Sequence, residues 1–172
     1  NMTGIEKLTT VGAAGNLTLV TVDANIASGA NLAIDATSMD GDVLSVIAVA
    51  ETNGTLTITA DGTGAHVATL GSGNDTYTST STGVDTVTAT GGNNTISTGG
   101  GVDIINVGTG QDTVTIGAGT ANTVNLTLAT HLVANSVTVT DWTATTGIIT
   151  IDLADLNSGA RLLNFCLLYT SD

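Results

Sequence analysis

The chain has 172 residues, with fifteen Asp and Glu against only Lys7 and Arg161, a formal net charge of −13. That balance repels phosphate backbones and anionic bilayers, which disfavours nucleic-acid and lipid partners and favours cations. A 41% hydrophobic content argues against an acidic disordered tail, and no run approaches the roughly 18–20 apolar residues of a membrane span.

Val, Ile, Leu, Ala and Thr dominate with almost no aromatics, and twenty-two glycines stand with no proline. This composition favours short pleated strands between tight turns. No basic and hydrophobic signal peptide opens the chain and its first residue is Asn, so it reads as a fragment of something longer. In chain order the first predicted strands are Leu17–Val22, Leu32–Ile34, Leu44–Val49 and Leu56–Thr59, recurring every 12 to 15 residues between Gly/Asn/Asp turns. Such spacing suggests coils of a solenoid.

From residue 70 to 125 the chain breaks into six short units aligned on an acidic position. They are Leu70-Gly-Ser-Gly-Asn-Asp-Thr-Tyr-Thr78, Thr80-Ser-Thr-Gly-Val-Asp-Thr-Val-Thr88, Ala89-Thr-Gly-Gly-Asn-Asn-Thr-Ile-Ser97, Thr98-Gly-Gly-Gly-Val-Asp-Ile-Ile-Asn106, Val107-Gly-Thr-Gly-Gln-Asp-Thr-Val-Thr115 and a looser Gly117-Ala-Gly-Thr-Ala-Asn-Thr-Val-Asn125. Successive Asp/Asn positions lie 10, 9, 9, 9 and 10 residues apart. Glycine lets each turn pass through φ > 0 and leaves carbonyls exposed and close together. The acid follows the turn. Tyr77, Val87, Ile96, Ile105, Val114 and Val124 are expected to point the other way, inward. Nine residues make half a coil, so units two apart stack as parallel strands about 4.8 Å apart and adjacent units lie on opposite sheets.

The pattern resembles the glycine- and aspartate-rich nonapeptide repeat of RTX proteins, Gly-Gly-x-Gly-x-Asp-x-(apolar)-x, a calcium-binding β-helix repeat. The resemblance covers about a third of the chain, and Asn94 and Asn122 depart from it by standing where Asp is expected. It implies an all-β fold, a right-handed parallel β-roll or β-solenoid with a C-terminal capping segment. The expected divisions are solenoid-like coils over 1–64, the calcium-binding roll over 65–126, capping strands over 127–161 and a non-native tail over 162–172. Asn1-Met-Thr-Gly-Ile-Glu-Lys-Leu8 is similar to a line common in large secreted surface proteins, including surface-layer proteins with RTX repeats. Val137–Trp142 and Ile149–Leu156 are similar to the segment that often follows such repeats and covers the open end of the roll, with Trp142 as the plug. Cys166-Leu-Leu-Tyr-Thr-Ser-Asp172 reads as the conceptual translation of a sequencing adapter, and Cys166 is set aside on that ground.

Calcium takes six to eight oxygens in a tolerant geometry. The expected donors are carbonyls of Gly73, Gly83, Gly92, Gly101, Gly110 and Gly119 with the side chains of Asp75, Asp85, Asn94, Asp103, Asp112 and Asn122. One edge should carry Asp85, Asp103 and Asn122, the other Asp75, Asn94 and Asp112. Asp85/Asp103 alone joins two carboxylates at a spacing of 18, and Asp103/Asn122 is the weakest pair because it has lost a charge and gained an insertion. Two stacked carboxylates about 5 Å apart repel by roughly 1 to 3 kcal/mol, which a divalent ion removes. The alternative is a metal-free solenoid whose Asn and Asp bond turn amides and form side-chain ladders.

Other chemistry is thin. His66 and His131 have no Ser or Cys partner and read as surface or edge residues. Asp40-Gly-Asp42 lacks the bidentate Glu of an EF-hand loop and reads as a plain turn. Asp152 and Asp155 read as turn or cap residues. The chain thus looks non-enzymatic. Its leading reading is a calcium-stiffened stretch of a secreted bacterial surface protein, with calcium ions, other copies of itself or cell-surface polysaccharide as partners. The alternative is the C-terminal export module of a secreted protease or lipase whose catalytic domain lies upstream.

Overall fold

Among the described residues, alternation of Thr with Val, Ile or Ala over three to seven residues gives fourteen short strands, β1 to β14 in chain order. The computed structural model describes residues 4–11, 15–127, 136–141 and 147–152. The strands deal alternately into two parallel sheets. One stacks β1 (Lys7–Thr9), β3 (Asn31–Ala36), β5 (Thr55–Ala60), β7 (Thr76–Ser79), β9 (Thr95–Ser97), β11 (Gln111–Thr115) and β13 (Ser136–Val139). The other stacks β2 (Leu17–Val22), β4 (Leu44–Ala50), β6 (Val67–Thr69), β8 (Thr86–Ala89), β10 (Ile104–Val107), β12 (Asn122–Thr127) and β14 (Gly147–Asp152). This is a parallel β-solenoid in which each coil gives one strand to each sheet.

Register shows the coil tightening where the nonapeptides begin. Lys7 pairs with Ala33 and Ser45 with Val67, while Thr76 pairs with Thr95 and Thr86 with Ile104. The step thus falls from 26 residues to 22, then to 19 and 18. It widens again to 25 where Gln111 pairs with Ser136. Two-residue alternation sends one side chain per coil to the same place in the core. Ile34, Ile58, Tyr77, Ile96 and Val114 form one buried column, and Val46, Ala68, Val87, Ile105 and Val124 face it from the other sheet. Burying each large apolar chain contributes about 1.5–3 kcal/mol. The inward residues expected of the six units are all in these columns.

The abundant threonines have a place too. Thr57, Thr76, Thr95, Thr113 and Thr138 align on the outer face of the first sheet. Hydroxyls on successive coils can also pair, as Thr115 and Thr140 do at 2.9 Å.

Two strands were not anticipated, β1 and β6. The segments expected to cap the roll are described only in part. Within that part, β13 and β14 continue the two sheets as one more coil. Trp142, His131, Asp155 and the 162–172 tail lie outside the described residues.

Candidate metal centre

Each turn enters its strand through the Asp/Asn position, and here one expectation is corrected. The acids were expected to face away from the apolar residues, yet Asp75 and Tyr77, like every such pair, are two apart and share a face. Alternation therefore buries both. Asp75, Asp85, Asn94, Asp103, Asp112 and Asn122 are all within 2% of full burial.

Buried at the rim of the core, these side chains form two hydrogen-bonded columns. In the first, the amides of Leu56, Asp75 and Asn94 donate to Oδ1 of Asp75, Asn94 and Asp112 at 2.8, 2.9 and 2.9 Å. In the second, the amides of His66, Asp85 and Asp103 donate to Oδ1 of Asp85, Asp103 and Asn122 at 3.2, 2.9 and 2.8 Å. The two edges hold the residues grouped from the spacing. One oxygen of each side chain thereby ties it to the coil before.

The second oxygen differs from turn to turn. Asp75 Oδ2 and Asp103 Oδ2 are buried without a hydrogen-bond partner. Asp85 is engaged twice, its Oδ2 accepting the Tyr77 hydroxyl at 3.1 Å. At the asparagines an NH2 group takes the place of that oxygen. Asn94 Nδ2 donates to the carbonyls of Gly91 and Gly92 at 3.1 and 3.2 Å, and Asn122 Nδ2 to that of Ile116 at 2.8 Å. Asn therefore satisfies its own turn carbonyls, where an Asp would add a second acceptor.

The glycines form columns of their own. A Cβ on Gly73, Gly92 or Gly110 would overlap the carbonyl oxygen of Gly54, Gly73 or Gly92 in the coil before. The other column runs Gly64, Gly83, Gly101, Gly119 in the same way. Only Gly92, Gly101 and Gly110 of the expected six have positive φ, at 84°, 111° and 125°. At Gly73, Gly83 and Gly119 the requirement is close backbone approach and not the left-handed conformation that was expected.

Burial dominates the electrostatics. It raises Asp75 to about 6, with the Leu56 and Gly71 amides pulling down and the charge of Glu51 pushing up. It raises Asp103 to about 6 as well, against the Asp85 amide and Thr98 hydroxyl, with the Asp85 charge adding to the rise. Asp85 is also raised by burial, eased by Ser79, His66 and Tyr77. Burial, then the neighbouring Asp85, raises the Tyr77 phenol.

His66 was read as a surface or edge residue and is fully buried. It occupies the acid position of the second column, its Nδ1 accepting the Leu44 amide at 3.1 Å and its Nε2–H donating to the Asp61 carbonyl at 3.0 Å. The signal was there to find. Gly64-Ala-His66-Val-Ala-Thr69 repeats the Gly-x-Asp-x-apolar-Thr line 19 residues before Asp85. Gly54 to Thr59 does the same before Asp75, with Leu56 at the acid position. Neither line carries an acid at that position. Asp40–Asp42 lies in the turn between β3 and β4, as expected.

Hard oxygen donors, orphaned carboxylate oxygens and stacked glycine carbonyls fit calcium. Among the described residues no three His, Cys, Asp or Glu side chains converge, so a cation here would draw on backbone carbonyls as well. A parallel solenoid with such turns is a repeat scaffold built around oxygen-lined edges. Residues 79–114 match the RTX calcium-binding nonapeptide repeat, in four copies. The chain carries RTX calcium-binding repeats, and calcium is their ion. No curated protein and no solved structure matches the chain.

Proposed function

We propose that this chain is a calcium-binding structural stretch of a large secreted bacterial surface protein, of surface-layer or adhesin type, in which calcium couples folding to export. One observation carries the reading: buried carboxylates with a free oxygen recur beside glycine carbonyl columns inside an uninterrupted solenoid. The residues that would hold the ion are Asp75, Asp85, Asp103 and Asp112, with carbonyls of Gly73, Gly83, Gly92, Gly101, Gly110 and Gly119. Asn94 and Asn122 complete the columns with weaker donors. Calcium supplies the positive charge that these rims otherwise lack.

The protein's own groups set the coupling. Dry, like-charged carboxylates oppose closing the coils, so the roll stays loose where calcium is scarce. At extracellular, millimolar calcium even a site of about 10⁻⁴–10⁻³ M fills, and binding becomes folding free energy. The role is structural, not catalytic. Longer, non-repeat coils share both sheets with the repeats, which favours a surface protein over the export module of a hydrolase. Partners on this reading are other copies of the chain or surface polysaccharide.

Far-UV circular dichroism and thermal melts in chelator and at about millimolar calcium test the coupling. The expected result is weaker β signal and lower Tm in chelator; equal signals and equal Tm overturn it. A catalytic motif encoded upstream in the complete gene would move the assignment to the export module.

A further inference from the structure

Upstream of the matched repeats, the turn at 51–54 stacks against the turn at 71–75 without the aspartate that the later turns use. Register pairs Thr57 with Thr76, so Leu56 stands in the position of Asp75, while Glu51 lies against Gly71, whose Cβ would meet the Glu51 carbonyl oxygen at 2.7 Å. The glutamate is fully buried. Its Oε1 reaches forward along its own turn to accept the amides of Asn53 at 3.1 Å and Gly54 at 2.7 Å. Its Oε2 is buried with no partner, as is Asp75 Oδ2 in the facing turn.

The two carboxylates bracket one contact. Gly54 packs beside Glu51, where a Cβ would lie 3.0 Å from Oε1. The Gly54 carbonyl in turn meets Gly73, whose Cβ would lie 3.5 Å from Asp75 Oδ1. The amide of Ser72 donates to the Glu51 carbonyl at 3.0 Å, locking the turns together. Among the described residues no counter-cation is at hand. Lys7, the one Lys or Arg among the described residues, pairs with Asp35 at 3.4 Å. Two buried carboxylates with free oxygens and no cation leave an unbalanced charge that a folded rim tolerates poorly.

We propose that Glu51 and Asp75 form a further divalent-cation position between these turns, one coil ahead of the matched repeats, with Glu51 in place of the missing aspartate. The ligand class is a hard divalent ion, calcium, held by Glu51 Oε2, Asp75 Oδ2 and glycine-turn carbonyls. The extra methylene of glutamate lets a carboxylate at the start of the turn serve where aspartate would serve at its end. This position rests on the calcium reading above and extends the metal-bound edge beyond the nonapeptides.

Calcium titration calorimetry on the full chain, wild type against Glu51→Gln, tests it. Glutamine keeps the acceptor for the Asn53 and Gly54 amides and removes only the charge. The expected result is one fewer calcium bound, or at least tenfold weaker binding of one ion, with the others unchanged. Identical stoichiometry and affinities overturn the position while leaving the calcium reading intact. A wild type that takes no calcium overturns both. Hydrogen exchange on the wild type guards against a misfolded variant. Calcium should slow the Asn53 and Gly54 amides together with those of the repeats, and slowing confined to the repeats overturns the position.

Discussion

The burial of Asp75 and Asp103 makes a pH signature. Both stand near 6 in the folded chain against an ordinary 3.8. The folded state then binds protons more tightly than the unfolded one. That stability is fully present below about 3.8 and is lost as pH rises through about 6. In chelator, Tm should fall from about pH 4 to about pH 7 on this account, and Asp103→Asn should flatten the fall. A Tm that rises over that window contradicts it. Glycine gives a second residue-scale test. Gly92 has φ +84° and packs on the Gly73 carbonyl, so Gly92→Ala should cost at least about 1–3 kcal/mol in denaturant melts. Gly41 has ordinary φ and its Cβ would meet only Thr63 Oγ1 at 3.5 Å, so Gly41→Ala should change stability by less than about 1 kcal/mol.

At the scale of one turn and its strand, the choice between Asp and Asn divides the coils into two kinds. The β9 turn is closed by its own side chain, Asn94 Nδ2 bonding Gly91 and Gly92 carbonyls and Asp112 Oδ1. Asn94→Asp removes those donors and adds a buried charge beside Asp112. Metal-free stability should drop by about 1–3 kcal/mol, while calorimetry should show tighter calcium binding. Unchanged affinity would mean that the turn does not engage the ion. The ladder itself was one of two readings open from the sequence, the metal-free one. The structure shows that ladder and calcium need not compete, since the ladder uses Oδ1 and leaves Oδ2 of Asp75 and Asp103 for another partner.

Across the whole molecule, stability in a solenoid is a sum over coils and their neighbours. Chelation should therefore loosen the stack locally. Hydrogen exchange is expected to quicken first over about residues 70–115, where the acids crowd, while β2 and β3 keep their protection. Uniform quickening along the chain would show that calcium acts on the fold as one unit.

Sequence alone was enough for the strand period, the pairing of units two apart, the inward residue of each coil and the two edges, because a repeat of nine with alternation of two leaves little freedom. The upstream strands β2 to β5 were legible for the same reason. His66, Glu51 and Gly54 were not, since chemically unlike residues fill equivalent positions and only stacking reveals the equivalence. Nor could the sequence assign oxygens. Which carboxylate oxygen meets an amide, which meets Tyr77 and which is left over depends on side chains from a coil 18 or 19 residues away. The same stacking, by bringing backbones too close for a Cβ, decided that half of the expected glycines are there for space and not for their φ.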